Sequence, residues 1–146
     1  MIIVEKGWLN AMNLLIDTNV ILNMVFKRTG YEEAVQLFRK IRECHSDTFI
    51  TASTVTDLFY IIRKEMHDTE KTYVIMGNIF KLVEILSVTD EDIQVAFEQK
   101  WKDFEDCVQF TTAKNNRIDY IVTVNRKDYE DSSVAVGSPK ECIELL

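Results

Sequence analysis

Short apolar runs alternate with longer amphipathic segments along this sequence. Residues 13–16 (Asn-Leu-Leu-Ile) form the first run, which ends at Asp17. A short apolar run of this kind is typical of a buried parallel strand, and it would place the carboxylate at the strand's carboxyl end, where α/β folds bind ligands. Apolar positions at helical spacing then predict two helices, over residues 20–26 and 31–44.

The alternation continues through the rest of the chain. Phe49 and Ile50 predict a second strand, and Ser53 or Thr54 is expected to cap a helix that runs to about residue 66 and carries Asp57 in its first turn. The remaining predicted elements are a helix over 69–82, a strand over 85–88, a helix opened by Thr89, a helical segment over 96–114 that is interrupted or bent near 101–104, a strand over 120–124, and a terminal helical turn opened by Ser138, Pro139 and Glu141.

This order of elements predicts an α/β fold of three layers, α/β/α. Strands separated by helices imply right-handed crossovers and a mostly parallel sheet of about four or five strands, covered on both faces. Four glycines and one proline in 146 residues leave few sharp turns, which disfavours an all-β sandwich. The length suits one domain, which we place at residues 12–146, with residues 1–11 as a candidate N-terminal extension.

The net charge of the chain limits how it could bind nucleic acid. A formal net charge of -7 argues against a protein that grips nucleic acid over a wide basic surface. If RNA binds, a metal ion must mediate the contact locally.

The cysteines bear on the compartment. Cys44, Cys107 and Cys142 stand at irregular spacings without a Cys-x-x-Cys pair, so we expect buried thiols in a reducing cytoplasm rather than disulfides or zinc ligands. We expect no membrane association, because the apolar stretches fall short of the roughly 20 residues that span a bilayer. Residues 1–8 also lack the basic and apolar regions of a signal peptide.

Five aspartates stand near predicted strand ends or helix first turns, namely Asp17, Asp57, Asp103, Asp106 and Asp128. We expect them to converge at the carboxyl edge of the sheet. Clustered carboxylates repel one another unless a cation lies between them, and Mg²⁺ and Mn²⁺ prefer oxygen ligands. Such an ion can activate a water and neutralise the leaving oxygen of a phosphodiester, so the predicted chemistry is metal-dependent hydrolysis without a nucleophilic side chain.

Four segments, in order, resemble motifs of the PIN domain family, which includes the VapC-type toxins of bacterial toxin–antitoxin pairs. They are Leu15-Ile16-Asp17-Thr18-Asn19-Val20, Thr54-Val55-Thr56-Asp57-Leu58, Asp103-Phe104-Glu105-Asp106-Cys107-Val108-Gln109 and Ile121-Val122-Thr123-Val124-Asn125-Arg126-Lys127-Asp128-Tyr129. Each string alone is a weak signal, but their order and spacing together are specific. The resemblance runs from about residue 13 to the C-terminus.

The resemblance implies a ribonuclease that cuts single-stranded or structured RNA with Mg²⁺ or Mn²⁺, forms a homodimer and, in toxin–antitoxin pairs, is inhibited by a small antitoxin protein. The implied catalytic residues are Asp17, Asp57 and Asp106. The implied metal ligands are Asp17, Asp103, Asp106 and Asp128. Hydrogen bonds could position a ligand carboxylate or a water from Thr18, Asn19, Thr123 and Asn125. The RNA backbone could be held by Arg126 and Lys127.

Two positions depart from the family pattern, since Asp57 replaces a common glutamate and Asn125 stands where some members carry an acid. Simpler explanations also exist. Asp57 lies three residues after Thr54, as the acidic partner of a capping box would. Asp17 could end a strand and Asp128 could be a turn residue, while Asp103 and Asp106 could be solvated acids on one helix face.

Two other functions remain open at this point. A haloacid-dehalogenase-like phosphatase would need a second aspartate as proton shuttle where this chain has Asn19. A non-catalytic module could keep the fold and bind RNA or protein without cutting. We leave His45 and His67 out of the site as exposed residues at helix ends, and we expect most aromatic residues on apolar faces, Tyr60 among them, to be core or dimer contacts.

Overall fold

Five short strands form one parallel sheet in the computed structural model, which describes residues 11–146. The strands are β1 (Asn13–Ile16), β2 (Asp47–Thr51), β3 (Glu84–Leu86), β4 (Tyr120–Val122) and β5 (Ala135–Gly137). Their order across the sheet is β3-β2-β1-β4-β5, and every neighbouring pair is parallel. The predicted N-terminal extension falls, except for Ala11, outside the described residues and stays a prediction.

Helices lie between and after these strands. They are α1 (Thr18–Val25), α2 (Tyr31–Cys44), α3 (Ala52–Met66), α4 (Thr69–Phe80), α5 (Asp90–Gln99), α6 (Phe104–Asn115) and α7 (Pro139–Leu145), with a 3-10 turn at Arg126–Tyr129. Within the described range, no helix is long and apolar enough to cross a membrane.

The two faces of the sheet pack against separate cores, as the alternation of side chains along a strand requires. On β1, Leu14 and Ile16 enter a core shared with α1 to α4, whereas Leu15 enters a core shared with α6. All three side chains are fully buried. The predicted three-layer α/β/α fold with a parallel sheet is therefore confirmed.

The sheet reverses its order of growth between β1 and β4. From β1 the chain adds β2 and β3 on one side, and later β4 and β5 on the other. A crevice forms at such a switch point, outside the carboxyl ends of the strands. Ile16 pairs with Val122 in the register of β1 and β4, so Asp17 and Thr123 leave the sheet side by side.

The start of α3 differs from the prediction. Thr51, not Ser53 or Thr54, is the N-cap residue, and its hydroxyl accepts a hydrogen bond from the Thr54 amide at 3.2 Å. Asp57 consequently lies in the second turn of α3 rather than the first, where it had been predicted, and the alternative explanation of Asp57 as the capping-box partner of Thr54 does not hold.

The helical segment predicted over 96–114 is interrupted between α5 and α6, which is one of the two outcomes, an interruption or a bend, that the sequence predicted near 101–104. Lys100 ends α5 in the left-handed conformation (φ 55°), and Asp103 caps α6. Between them Trp101 stacks on Phe110, with ring centroids 5.0 Å apart.

The sequence prediction missed β5. Only three residues long, it ends at Gly137, where a Cβ atom would overlap the hydroxyl of Tyr120.

The capping box predicted at the start of the last helix is present, because the side chains and backbone amides of Ser138 and Glu141 bond reciprocally. His45 and His67 are exposed at the ends of α2 and α3, as expected.

The three cysteines are free thiols. Cys107 and Cys142 are buried, in line with the prediction, whereas Cys44 is half-buried.

Candidate active site

A pocket of about 370 Å³ opens at the switch point of the sheet. Six carboxylates line it, from Asp17, Asp57, Asp103, Glu105, Asp106 and Asp128. The other lining residues are Thr18, Asn19, Tyr60, Ile61 and Asn125. All five predicted aspartates therefore converge here, together with Glu105, which the sequence prediction had left out.

Asp17 is the innermost of these acids, with 8% of its surface exposed. It follows β1 directly and caps α1, accepting a hydrogen bond from the Thr18 amide at 2.8 Å. The Thr123 hydroxyl donates to its other oxygen, also at 2.8 Å. Burial raises the pKa of Asp17, and these hydrogen bonds oppose that rise. The carboxylate is thus held in one orientation by two elements of the sheet edge.

Asp103, Asp106 and Asp128 bring one oxygen each within 4.8 Å of one another. Asp103 is the N-cap of α6 and accepts from the Asp106 amide at 3.0 Å, so it lies at the helix end rather than on a helix face with Asp106. Burial raises the pKa of Asp106 to about 8, with further contributions from the charges of Asp17 and Asp103. A cation would relieve this repulsion.

Tyr129 lies near the two inner aspartates. Its buried hydroxyl donates to Asp106 Oδ1 at 3.2 Å, and the charge of Asp17 also acts on it. Burial, together with these two carboxylates, raises the pKa of Tyr129, so the hydroxyl stays protonated and acts as a donor. The sequence showed only an aromatic residue after Asp128, and nothing in it indicated that the 3-10 turn directs this hydroxyl back to α6.

Asp57 and Glu105 form a second acidic pair at the pocket wall. A hydrogen bond to Asp57, together with burial and the charge of Asp57, raises the pKa of Glu105 to about 7. Glu105 lies in the first turn of α6, one residue before Asp106. Three acids within the four residues 103–106 were the sequence signal that could have identified it.

A buried polar network lies beneath the pocket. The Gln109 amide donates to the Thr54 hydroxyl at 3.0 Å and accepts from the Thr51 hydroxyl. Thr54 in turn contacts the hydroxyl of Thr18 at 3.2 Å. Gln109 is 1% exposed, and its amide helps to lower the pKa of Asp17 against the effect of burial. The network joins the starts of α1 and α3 to α6, and the sequence prediction missed it.

The remaining predicted residues divide into those in the pocket and those beside it. Asn19 and Asn125 line the pocket, and the Asn125 side chain donates to Asp128. Arg126 pairs with Glu141 at 3.0 Å, and like Lys127 it lies beside the pocket rather than among its lining residues.

The donor set suits a hard divalent cation. Mg²⁺ and Mn²⁺ take carboxylate oxygens, and the three aspartates of the 4.8 Å cluster supply them from one α-helix end and one 3-10 turn. Burial and the charges of Asp17 and Asp103 raise the pKa of Asp106, and a cation held among these carboxylates would offset that unfavourable charge. The residues present therefore fit such an ion.

Comparisons with known proteins agree with this geometry. Residues 13–127 match the family model described as PIN domain. Ribonuclease VapC1 of Aquifex aeolicus (strain VF5) is 22% identical over 142 residues, which covers 93% of this chain and 96% of that protein.

Solved structures show the same fold. The crystal structure of VapBC2 from Rickettsia felis, bound to a DNA fragment from its promoter, superposes with a TM-score of 0.69 at 13% identity, over 87% of this chain and 98% of that one. A toxin–antitoxin complex from Klebsiella pneumoniae gives a TM-score of 0.62 at 23% identity, over 86% and 97%.

Proposed function

Since this chain belongs to the PIN domain family, we propose that it is a ribonuclease whose acidic pocket hydrolyses phosphodiester bonds in single-stranded RNA with Mg²⁺ or Mn²⁺. The observation that carries the proposal is the convergence of six carboxylates at the switch point of the sheet. The ribonuclease named among the similar proteins supports the same reaction class.

Four aspartates are the proposed metal ligands: Asp17, Asp103, Asp106 and Asp128. When bound, the metal supplies charge neutralisation at the phosphate and activation of the attacking water. The chain's own contribution is orientation. Thr123 and the Thr18 amide fix the oxygens of Asp17, and the Tyr129 hydroxyl fixes Asp106.

The Asp57–Glu105 pair is the proposed site of proton exchange. With its pKa raised to about 7 beside Asp57, Glu105 holds or releases a proton close to neutral pH, as a general acid or base requires. Asp57 thus keeps its predicted catalytic role, in company with Glu105. Asp57 stands where the family commonly has a glutamate, and we propose that the neighbouring Glu105 compensates for this shorter side chain.

We further propose a small antitoxin protein as partner, a homodimer as the assembly and the cytoplasm as the compartment. The structural similarity to a toxin–antitoxin complex supports the partner. A net charge of -7 would favour an inhibitor that carries a basic segment. The phosphatase alternative is left without support, because the matching family model is the PIN domain and Asn19 cannot shuttle a proton.

The test is cleavage of mixed single-stranded RNAs by purified protein in Mg²⁺, in Mn²⁺ and in a chelator. Asp17→Asn and Asp106→Asn should abolish cutting, whereas Asp131→Asn, which makes the same charge change at an exposed position outside the pocket, should leave it intact. Cutting that survives both pocket substitutions would reveal a contaminant or a different site. Absence of cutting under any metal would favour the non-catalytic binding module.

A further inference from the structure

Tyr60 stands at the boundary between the acidic pocket and a second groove. Its side chain is 63% exposed, so it is not part of the core, and the expected dimer contact stays a prediction. It lines the acidic pocket on one side. On the other side it lines a groove of about 380 Å³ together with Arg63, Lys64, His67 and Thr69. None of these groove residues is acidic.

Helical spacing places the groove in line with the pocket. One face of α3 carries Asp57, Tyr60 and Lys64, which are separated by three and four residues. His67, the C-cap residue of the helix, follows three residues after Lys64. Asp57 and Lys64 are about 10 Å apart along the axis at about 1.5 Å per residue. That distance corresponds to about three stacked nucleotides at about 3.4 Å each.

The groove residues are positioned by contacts with one another. Arg63 Nε donates to the Thr69 hydroxyl at 3.3 Å, which holds the guanidinium near the start of α4. The Lys64 ammonium lies 6.0 Å from the centroid of the Tyr60 ring. An exposed aromatic ring flanked by two cations is typical of surfaces that bind single-stranded nucleic acid, because bases stack on the ring and the cations attract the phosphates.

We propose that this face of α3 is the path along which the RNA strand runs to and from the acidic pocket, with one base stacked on Tyr60 and neighbouring phosphates at Arg63 and Lys64. The inference rests on the proposed ribonuclease function and identifies where that substrate binds. An acidic pocket repels a phosphate backbone, so a nuclease with a net charge of -7 needs a local attractive surface beside its catalytic groups. Arg126 and Lys127 lie outside the pocket, whereas the Tyr60 groove adjoins it.

The test separates binding from cutting. Affinity for a short fluorescein-labelled single-stranded RNA of mixed sequence is measured by anisotropy in Mg²⁺, in an Asp106→Asn background, over a series of salt concentrations. Tyr60→Ala should weaken binding about tenfold, and Tyr60→Phe, which keeps the ring, by no more than about twofold. Lys64→Gln should lower the slope of log affinity against log salt by about 0.7, as expected for the loss of one phosphate contact.

Lys114→Gln is the matched control, since it removes the same charge from an exposed position on α6 away from both cavities. It should change neither the affinity nor the slope. Unchanged RNA affinity in Tyr60→Ala and Lys64→Gln would overturn the proposed path and leave the groove to a protein segment. If the wild type cuts RNA while these variants bind normally, only the path is wrong. If the wild type does not cut but the variants lose RNA binding, the path stands and the catalytic proposal is wrong.

Discussion

At the scale of single residues, Tyr129 contributes its hydroxyl to the proposed metal site. Tyr129→Phe removes the hydrogen bond to Asp106 but keeps the ring against Trp101, whose centroid lies 6.3 Å away. We expect metal affinity or cleavage rate to fall about 10- to 100-fold, the usual effect of losing a partner of a metal ligand, with little change in melting temperature. Titration with Mn²⁺ and steady-state cleavage assays measure the two effects. Tyr73→Phe, at an exposed position on α4, is the control.

Gln109 gives a second prediction at this scale. Gln109→Leu leaves the hydroxyls of Thr51 and Thr54 without their buried amide partner. Both hydroxyls keep other partners, Thr51 at the Thr54 amide and Thr54 at the Thr18 hydroxyl. The expected loss is therefore that of two side-chain hydrogen bonds, about 1–3 kcal/mol of the free energy of unfolding. Urea denaturation of this variant beside Gln36→Leu, an exposed glutamine on α2, checks the value. Equal midpoints for the two variants would mean that the network contributes nothing to stability.

The sequence alone predicted part of the pocket. Asp17 and Asp106 could be predicted because each falls within a motif of fixed order, and both line the same pocket in the structure. Tyr129 and Gln109 could not, since their roles depend on where a 3-10 turn and the buried face of α6 direct a side chain. For Tyr60 the sequence left a core contact and a dimer contact open, and the fold excludes only the core, because helical spacing alone does not show which element covers a helix face.

At the scale of elements, Asp103 serves α6 and the proposed metal site together. Its carboxylate caps the helix through the Asp106 amide and lies in the aspartate cluster. Asp103→Ala should therefore cost about 1 kcal/mol of stability through the lost cap, whereas Asp103→Ser keeps a capping hydroxyl and should cost much less. Both substitutions should weaken Mn²⁺ binding alike. Thermal melts and metal titrations distinguish the two roles, and equal melting temperatures for Ala and Ser would argue against the cap.

Helices and strands were more predictable than their ends. Amphipathic spacing identified α2 over its full length, Tyr31–Cys44, and Thr89 was recognised as the cap of α5. The cap of α3 was misplaced by two or three residues, because a run of serines and threonines offers several equivalent oxygens and only the strand geometry selects Thr51. The strand β5 could not be predicted, because its three residues form a strand through pairing with β4 and through the space that Gly137 leaves for Tyr120. Both are tertiary effects.

At the scale of the whole molecule, the clustered acids make stability depend on pH and metal. In the folded protein the pKa of Glu105 is raised from 4.5 to about 7 and that of Asp106 from 3.8 to about 8. Between these limits the folded state binds more protons than the unfolded chain, so the free energy of unfolding must fall as pH rises. The metal-free protein should melt at a lower temperature at about pH 8.5 than at about pH 5.5 because of this site.

Added Mg²⁺ or Mn²⁺ should reverse that trend. Metal binds the deprotonated carboxylates, so the rise in melting temperature on adding metal should be larger at high pH than at low pH. Calorimetry with and without a chelator measures both effects. The doubly substituted Glu105→Gln, Asp106→Asn protein should show a flatter pH dependence and a smaller metal effect. A pH dependence as steep as that of the wild type would place its origin outside the pocket.

The pairing of β1 with β4 also determines at which point of translation the proposed catalytic site can first assemble. Asp17 is fixed by Thr123, which follows it by 106 residues, and its partner acids on α6 likewise emerge late. At about 5–20 residues per second, translation separates the two ends of this contact by about 5–20 seconds. A nascent chain that lacks β4 therefore has no assembled pocket, so a ribosome making this protein is protected from its proposed activity until synthesis is nearly complete.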